Sequence, residues 1–333
     1  MTAAGERSPS DRDGRTFTVL LALAANVGVG VLKLAAGLLS GSGALLSEAA
    51  HSGGDSATEL LLLVALRRSR RPADRIHPFG YGKERYFWSL LAAGAIFVSG
   101  AAFSFFQGVR TITGPAEPAS RLWLNYAVLA LAFVLEATSF RQAARQVRDH
   151  TTRHRQSVRE YVRDPSDPTL NSVTLEDSTA LVGIVIAALG VGLHALTGAQ
   201  WWDGLASLLI GTLLLGVAVL LTRACQALLI GKQADPRLLR AIEGLLEQQP
   251  EIVDVVDLLT MRTGTGRILL CSRVDFVDTL SAADLEKACM RIDAALRGRF
   301  DELDEIFIQP ASRSDAGMRE RVRKRYGRPL ADN

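Results

Sequence analysis

His51 and Asp55 lie four residues apart in the stretch GALLSEAAHSGGDSATELLLLVAL, Gly43 to Leu66. On a helix that spacing stacks them on one face, a turn apart. A neutral imidazole beside a carboxylate supplies half of a tetrahedral site for a divalent metal ion. Glu48, three residues before His51, and Glu59, four after Asp55, continue nearly the same stripe. In a helix that crosses a bilayer, each ionisable group costs roughly 2.5–3.5 kcal/mol at the membrane centre. Such groups are kept where they face a protein-lined cavity and bind something. In a soluble helix the same pair is an ordinary surface contact, so the surrounding chain must decide between the two. Gly53 and Gly54, between the pair, leave room for another helix to come close.

A second constellation is LNSVTLEDSTALVGIVIAALG, Leu170 to Gly190. Glu176 and Asp177 are adjacent carboxylates near the start of an otherwise apolar run. Two carboxylates there are costly without a cation, although an interfacial acidic pair is the plainer account. Neighbours on a helix point about 100° apart, so both cannot face one ion equally. Asp177 is the first choice to complete the site begun by His51 and Asp55, and Glu176 the second. A third cluster, Asp74 and His77 with Tyr81 four further on, fits either a peripheral metal site or a structured turn hinged at Gly80 and Gly82.

The apolar residues, 48% of the 333, are gathered into runs with the charges between them, which is the pattern of a membrane protein. Six spans are predicted, at about residues 16–39, 43–66, 86–109, 122–140, 170–196 and 201–221. Asn26 and Lys33 in the first span argue for a face turned into a bundle, and Glu136 lies inside the fourth. Arginines crowd before span one, between spans two and three, between spans four and five, and after span six. Both termini are therefore expected in the cytoplasm, with the chain in the cell (inner) membrane. A net charge of +3 does not suggest nucleic-acid binding. Three cysteines without CxxC spacing imply neither a disulfide framework nor a thiolate site. No cleavable signal peptide is evident, and no nucleophile–base pair or phosphate-binding loop suggests an enzyme.

From Ala234 the character changes to that of a soluble domain. Asp235 with Pro236 opens a helix, Ile252–Met261 and Arg267–Val277 read as strands joined by a TGTG turn, Ser281 with Asp284 caps a second helix, and Glu305–Gln309 is a last strand. The predicted organisation is a disordered tail (1–15), a six-helix transmembrane domain (16–232), an α-β-β-α-β cytoplasmic domain (233–311) and a basic flexible tail (312–333).

The ordered combination of GLLSGSGALLSEAAHSGGD, HPFGYGKE, LEDSTALVG and a terminal α+β domain resembles the cation diffusion facilitator family of zinc and divalent-cation transporters. The LED form of the fifth span is similar to the mitochondrial-type branch. The resemblance covers about Thr16 to Pro310. It implies a homodimeric, proton-coupled exporter working by alternating access, with Zn2+ as substrate and no prosthetic group. His51 and Asp55 match the family's HxxxD in span two, and Asp177 matches the Asp of span five. Val173 stands at that span's His, so Glu176, a water or another side chain must supply a ligand. Asp74 and His77 match a peripheral site, with Tyr81 in place of a His. Phe307 and Gln309 stand in the HxDP-like ending, and no His follows His194, so the terminal domain is expected to dimerise without a binuclear zinc centre.

Metal binds deprotonated ligands, so it expels protons, and His51 with Asp55 is the expected coupling pair. An iron- or manganese-preferring transporter, a passive metal channel and a membrane metal sensor are the alternatives.

Overall fold

The structure is a computed structural model, and it describes residues 9–115, 121–153 and 168–326. The expected 113–120 and 164–168 loops fall largely outside them. The chain forms two compact units: the residues up to Arg67 together with Arg85–Gln226, and Arg68–Glu84 together with the chain from Ala227.

The first unit is helical. In order it contains α1 (Pro9–Ser40), α2 (Gly43–Ser69, whose last turn belongs to the second unit), α3 (Glu84–Ala95), a π-helical turn (Ile96–Ala102), α4 (Phe103–Thr113), α5 (Leu122–Arg153), α6 (Pro168–Thr197) and α7 (Trp201–Ile230). Helix α1 starts at Pro9, so residues 9–15, expected as a disordered tail, are helical. Proline is pre-shaped for a first helical turn.

Four helical stretches are long and apolar enough to cross a membrane: Glu84–Thr113, Leu122–Asp149, Leu175–Thr197 and Trp201–Ile230. The protein is a multi-pass membrane protein. The described apolar part of α1, Asn26–Ser40, is shorter, and α2 is diluted by its own polar residues. Helix α5 packs along α6 and against α1. The shared core draws heavily on alanine, with Ala36, Ala44, Ala93, Ala132 and Ala187 all buried. Small residues let helices approach where no hydrophobic effect drives them together.

The second unit holds α8 (Pro236–Glu247), β1 (Ile252–Gly264), β2 (Arg267–Phe276), α9 (Ala282–Arg299), β3 (Leu303–Pro310) and α10 (Ala316–Tyr326). The sheet order is β1-β2-β3, with β1–β2 antiparallel and β2–β3 parallel. This is the α-β-β-α-β order read from the sequence. Asp235 accepts from the Arg237 amide at 2.7 Å and Ser281 from the Asp284 amide at 3.2 Å, which starts both helices. Along β2, Ile268, Leu270, Val274 and Phe276 alternate inward and bury with Ile242, Leu246 and Ile292 from the helices.

Two features differ from expectation. The connection Arg68–Glu84 belongs to this second unit: Gly82 lies where a side chain would strike the backbone of Thr263 and Gly264. The segment after Ala311, expected as a flexible tail, carries α10. Met318 and Val322, four apart, give it a buried stripe, and Arg325 reaches the buried Asp257 at 2.7 Å.

Candidate metal transport site

Helix α2 turns His51 and Asp55 to a buried face, with Nδ1 of His51 3.4 Å from Oδ1 of Asp55. Among the described residues, Nε2 of His51 and Oδ1 of Asp55 have no hydrogen-bond partner. Buried polar atoms are normally satisfied, and each orphan costs about 1–3 kcal/mol. Both atoms are of the kind that can ligate a divalent cation. Gly54, next to Asp55, lies against Ser99 of the π-helical turn, and nothing approaches Gly53 closely.

Helix α6 faces this pair with a stripe. Glu176, Thr179, Ala180, Gly183 and Ala187 recur at helical spacing and are all buried. Gly183 lies against the Glu48 carboxylate of α2, which fixes the direction the stripe faces. Oε1 of Glu176 is a further buried orphan, and the Glu176 charge acts on Asp55. Asp177, one position round the helix, turns toward α5, where Ser139 Oγ donates to its Oδ2 at 2.8 Å. Asp177, the first choice from the sequence, thus has a partner on α5, and Glu176, the second, acts on Asp55. Val173 falls among positions whose side chains lie outside the described set. Among the described residues no three His, Cys, Asp or Glu side chains come together closely enough to hold one ion. His51 and Asp55 are a candidate half-site, with the charge of Glu176 on α6 acting on Asp55.

Sequence reasoning flagged Lys33 and Asn26 as inward-facing but did not find their partners. Lys33 Nζ is 3.0 Å from Glu48 Oε2 and donates to Ser52 Oγ at 2.9 Å, with both charged side chains fully buried. Asn26 donates to Glu59 Oε1 at 2.7 Å. The signal was a charged residue inside each of two consecutive apolar runs, which says that each needs a partner but not which one.

At the α1–α2 turn the bundle forms a half-open cavity of about 340 Å³ lined by Arg110, Asn125, His194 and Asp203, among others. Asp203 of α7 accepts from Ser42 Oγ at 2.7 Å and from the amides of Gly43 and Ala44, so it caps α2 from a distant helix.

In the Arg68–Glu84 connection, Asp74 Oδ1 accepts from the Ile76 and His77 amides at 2.9 and 2.7 Å, and its Oδ2 accepts from the Tyr81 hydroxyl at 2.6 Å. The Tyr81 bond, then those amides, hold the Asp74 carboxyl below the usual carboxylate range, and the same hydroxyl bond pushes the Tyr81 phenol up. The His77 ring stacks on Tyr81 at 4.3 Å. Both oxygens of Asp74 are thus used in holding the loop's own turn.

The family model of the cation efflux transmembrane domain matches residues 19–230. The chain belongs to the cation efflux family. This is the cation diffusion facilitator family that the motifs resemble, and its domain spans the helices that carry His51, Asp55 and Glu176. The human proton-coupled zinc antiporter SLC30A9, mitochondrial, is 31% identical over 278 residues, 82% of this chain and 49% of that protein. Metal tolerance protein C4 of Arabidopsis thaliana is 28% identical over 309 residues, 93% of this chain and 65% of that one. The cation-efflux pump FieF of Pectobacterium atrosepticum is 28% identical over 313 residues, 92% of this chain and 96% of that one. The chain spans about half the length of the mitochondrial antiporters it matches and nearly all of the bacterial pump.

Proposed function

We propose that this protein exports a divalent metal cation, zinc, from the cytoplasm by proton-coupled alternating access, as a six-span homodimer in the cell (inner) membrane with both termini cytoplasmic. It is a transporter, not an enzyme. The observation that carries the reading is the buried His51–Asp55 pair, each member with a buried atom that has no hydrogen-bond partner, together with a further buried unpartnered carboxylate oxygen on Glu176, whose charge acts on Asp55. A buried orphan imidazole with orphan carboxylates suits an imidazole-tolerant divalent ion. The relatives' names, a proton-coupled zinc antiporter and a cation-efflux pump, point the same way.

The ligands give the coupling. Metal enters against deprotonated carboxylates and a neutral imidazole, and it leaves when protons return to them. Asp177, held by Ser139 of α5, stays with that helix while Glu176 and Asp55 close on the ion. Asp74 and His77 serve the connecting loop and not a metal. The carboxylate excess around the site supports a second reading, in which iron or manganese is preferred, since oxygen donors suit harder ions.

The test is zinc flux in proteoliposomes with and without an imposed pH gradient, in wild type and in Asp55→Ala. Gradient-driven flux that falls at least tenfold in the variant is expected, as for loss of a metal-binding carboxylate. Wild-type flux indifferent to the gradient would mean a channel. No flux of zinc, iron or manganese would mean a sensor.

A further inference from the structure

The Lys33–Glu48 pair sits deep in the first unit, between α1 and α2, with no exposure on either side chain. Lys33 is the one buried lysine or arginine among the described residues of that unit. Its charge acts on Glu48, Asp55 and Glu136, and Glu176 in turn acts on Asp55. Burying an ion pair in place of apolar side chains is rarely a gain in stability, so the pair asks for another account.

Its geometry is specific. The ammonium bonds Oε2 of Glu48 and Oγ of Ser52. The other carboxylate oxygen, Oε1, is buried without a partner and lies on the side of Gly183 in α6. Glu48 is one helical turn before His51, and Ser52 follows His51 directly. One oxygen of Glu48 is therefore held by a tethered cation, and the other is buried without a hydrogen-bond partner against Gly183 of α6. The Lys33 charge also acts on His51 and Asp55.

We infer that Lys33 is a tethered stand-in for the transported ion, which holds Glu48 while the site is empty and competes with the incoming metal for it. With the ion absent, the ammonium offsets carboxylate repulsion and lets α1, α2 and α6 stay packed. With the ion present, Glu48 turns its bonding toward the metal and adds an oxygen donor to His51, Asp55 and Glu176. The ammonium sets affinity from below: the metal must displace it, so the ion is held loosely enough to leave. This inference rests on the metal-transport reading and adds to it a residue that tunes affinity without touching the ion.

The test is equilibrium binding of radioactive zinc to the detergent-solubilised full chain. The wild type is compared with Lys33→Met, Glu48→Gln and the double variant. Competition predicts opposite signs for the single changes. Lys33→Met should bind zinc about tenfold tighter, because the competitor is gone. Glu48→Gln should bind about tenfold or more weaker, because an unpaired ammonium is left beside the site. The double variant should bind at least tenfold tighter than Glu48→Gln, which keeps the test alive if Lys33→Met does not fold. A purely structural pair would shift both single variants the same way, or neither, and either result overturns the inference. If the wild type binds zinc and Lys33→Met matches or falls below it, the stand-in role fails alone. If the wild type binds no zinc, the transport reading fails first and this role with it.

Discussion

At the scale of residues, the two adjacent carboxylates of α6 divide their work. Glu176 is buried with an unsatisfied oxygen, and Asp177 accepts a hydroxyl from Ser139. Removing the charge at the two positions therefore has unequal effects. Glu176→Gln is expected to lower proteoliposome zinc flux at least tenfold, while Asp177→Asn stays within about threefold of wild type. The reverse order would mean that Asp177 leaves Ser139 to bind the ion and that Glu176 is packing. The adjacent pair was legible in the sequence, and so was the need for one member to turn away. Which one turns was not, because that depends on the rotation of α6 against α2 and α5, which a one-dimensional pattern does not carry. The His51–Asp55 spacing was legible because a helix alone fixes it. Lys33 and Glu48 were each visible as misplaced charges, but their union depends on how two helices slide past each other.

At the scale of elements, the approach of α6 to α2 turns on one missing side chain. A methyl group at Gly183 would overlap the Glu48 carboxylate, and that carboxylate cannot swing aside while Lys33 holds it. Gly183→Ala is expected to cost about 1–3 kcal/mol through overpacking. A thermal-unfolding midpoint in detergent at or above that of wild type would contradict this. Capping and period-two burial made the α-β-β-α-β unit readable to within a few residues at each end. The helix at Ala316–Tyr326 was missed because two apolar residues, Met318 and Val322, are a faint stripe among so many arginines. The docking of the α2–α3 connection on the β1–β2 turn was missed because its determinant, Gly82, is a residue that shows nothing in a sequence pattern.

At the scale of the whole molecule, the proposed six spans would place chain segments alternately on two sides of a bilayer. In a variant without Cys225, Cys271 and Cys289, single cysteines at Arg70 and Thr152 should react with an impermeant maleimide from one side only, and those at Thr113 and Thr197 only from the other. Labelling of Arg70 and Thr113 from the same side would remove the crossing between them. The Asp203 cap has a consequence in time. The amides of Gly43 and Ala44 that it receives lie 160 and 159 residues upstream in the chain. During synthesis α2 leaves the ribosome while its acceptor is still unmade. The first turn of the helix bearing His51 and Asp55 is therefore finished by the last helix of the first unit, so a nascent chain halted before α7 carries that pair on an unfinished helix.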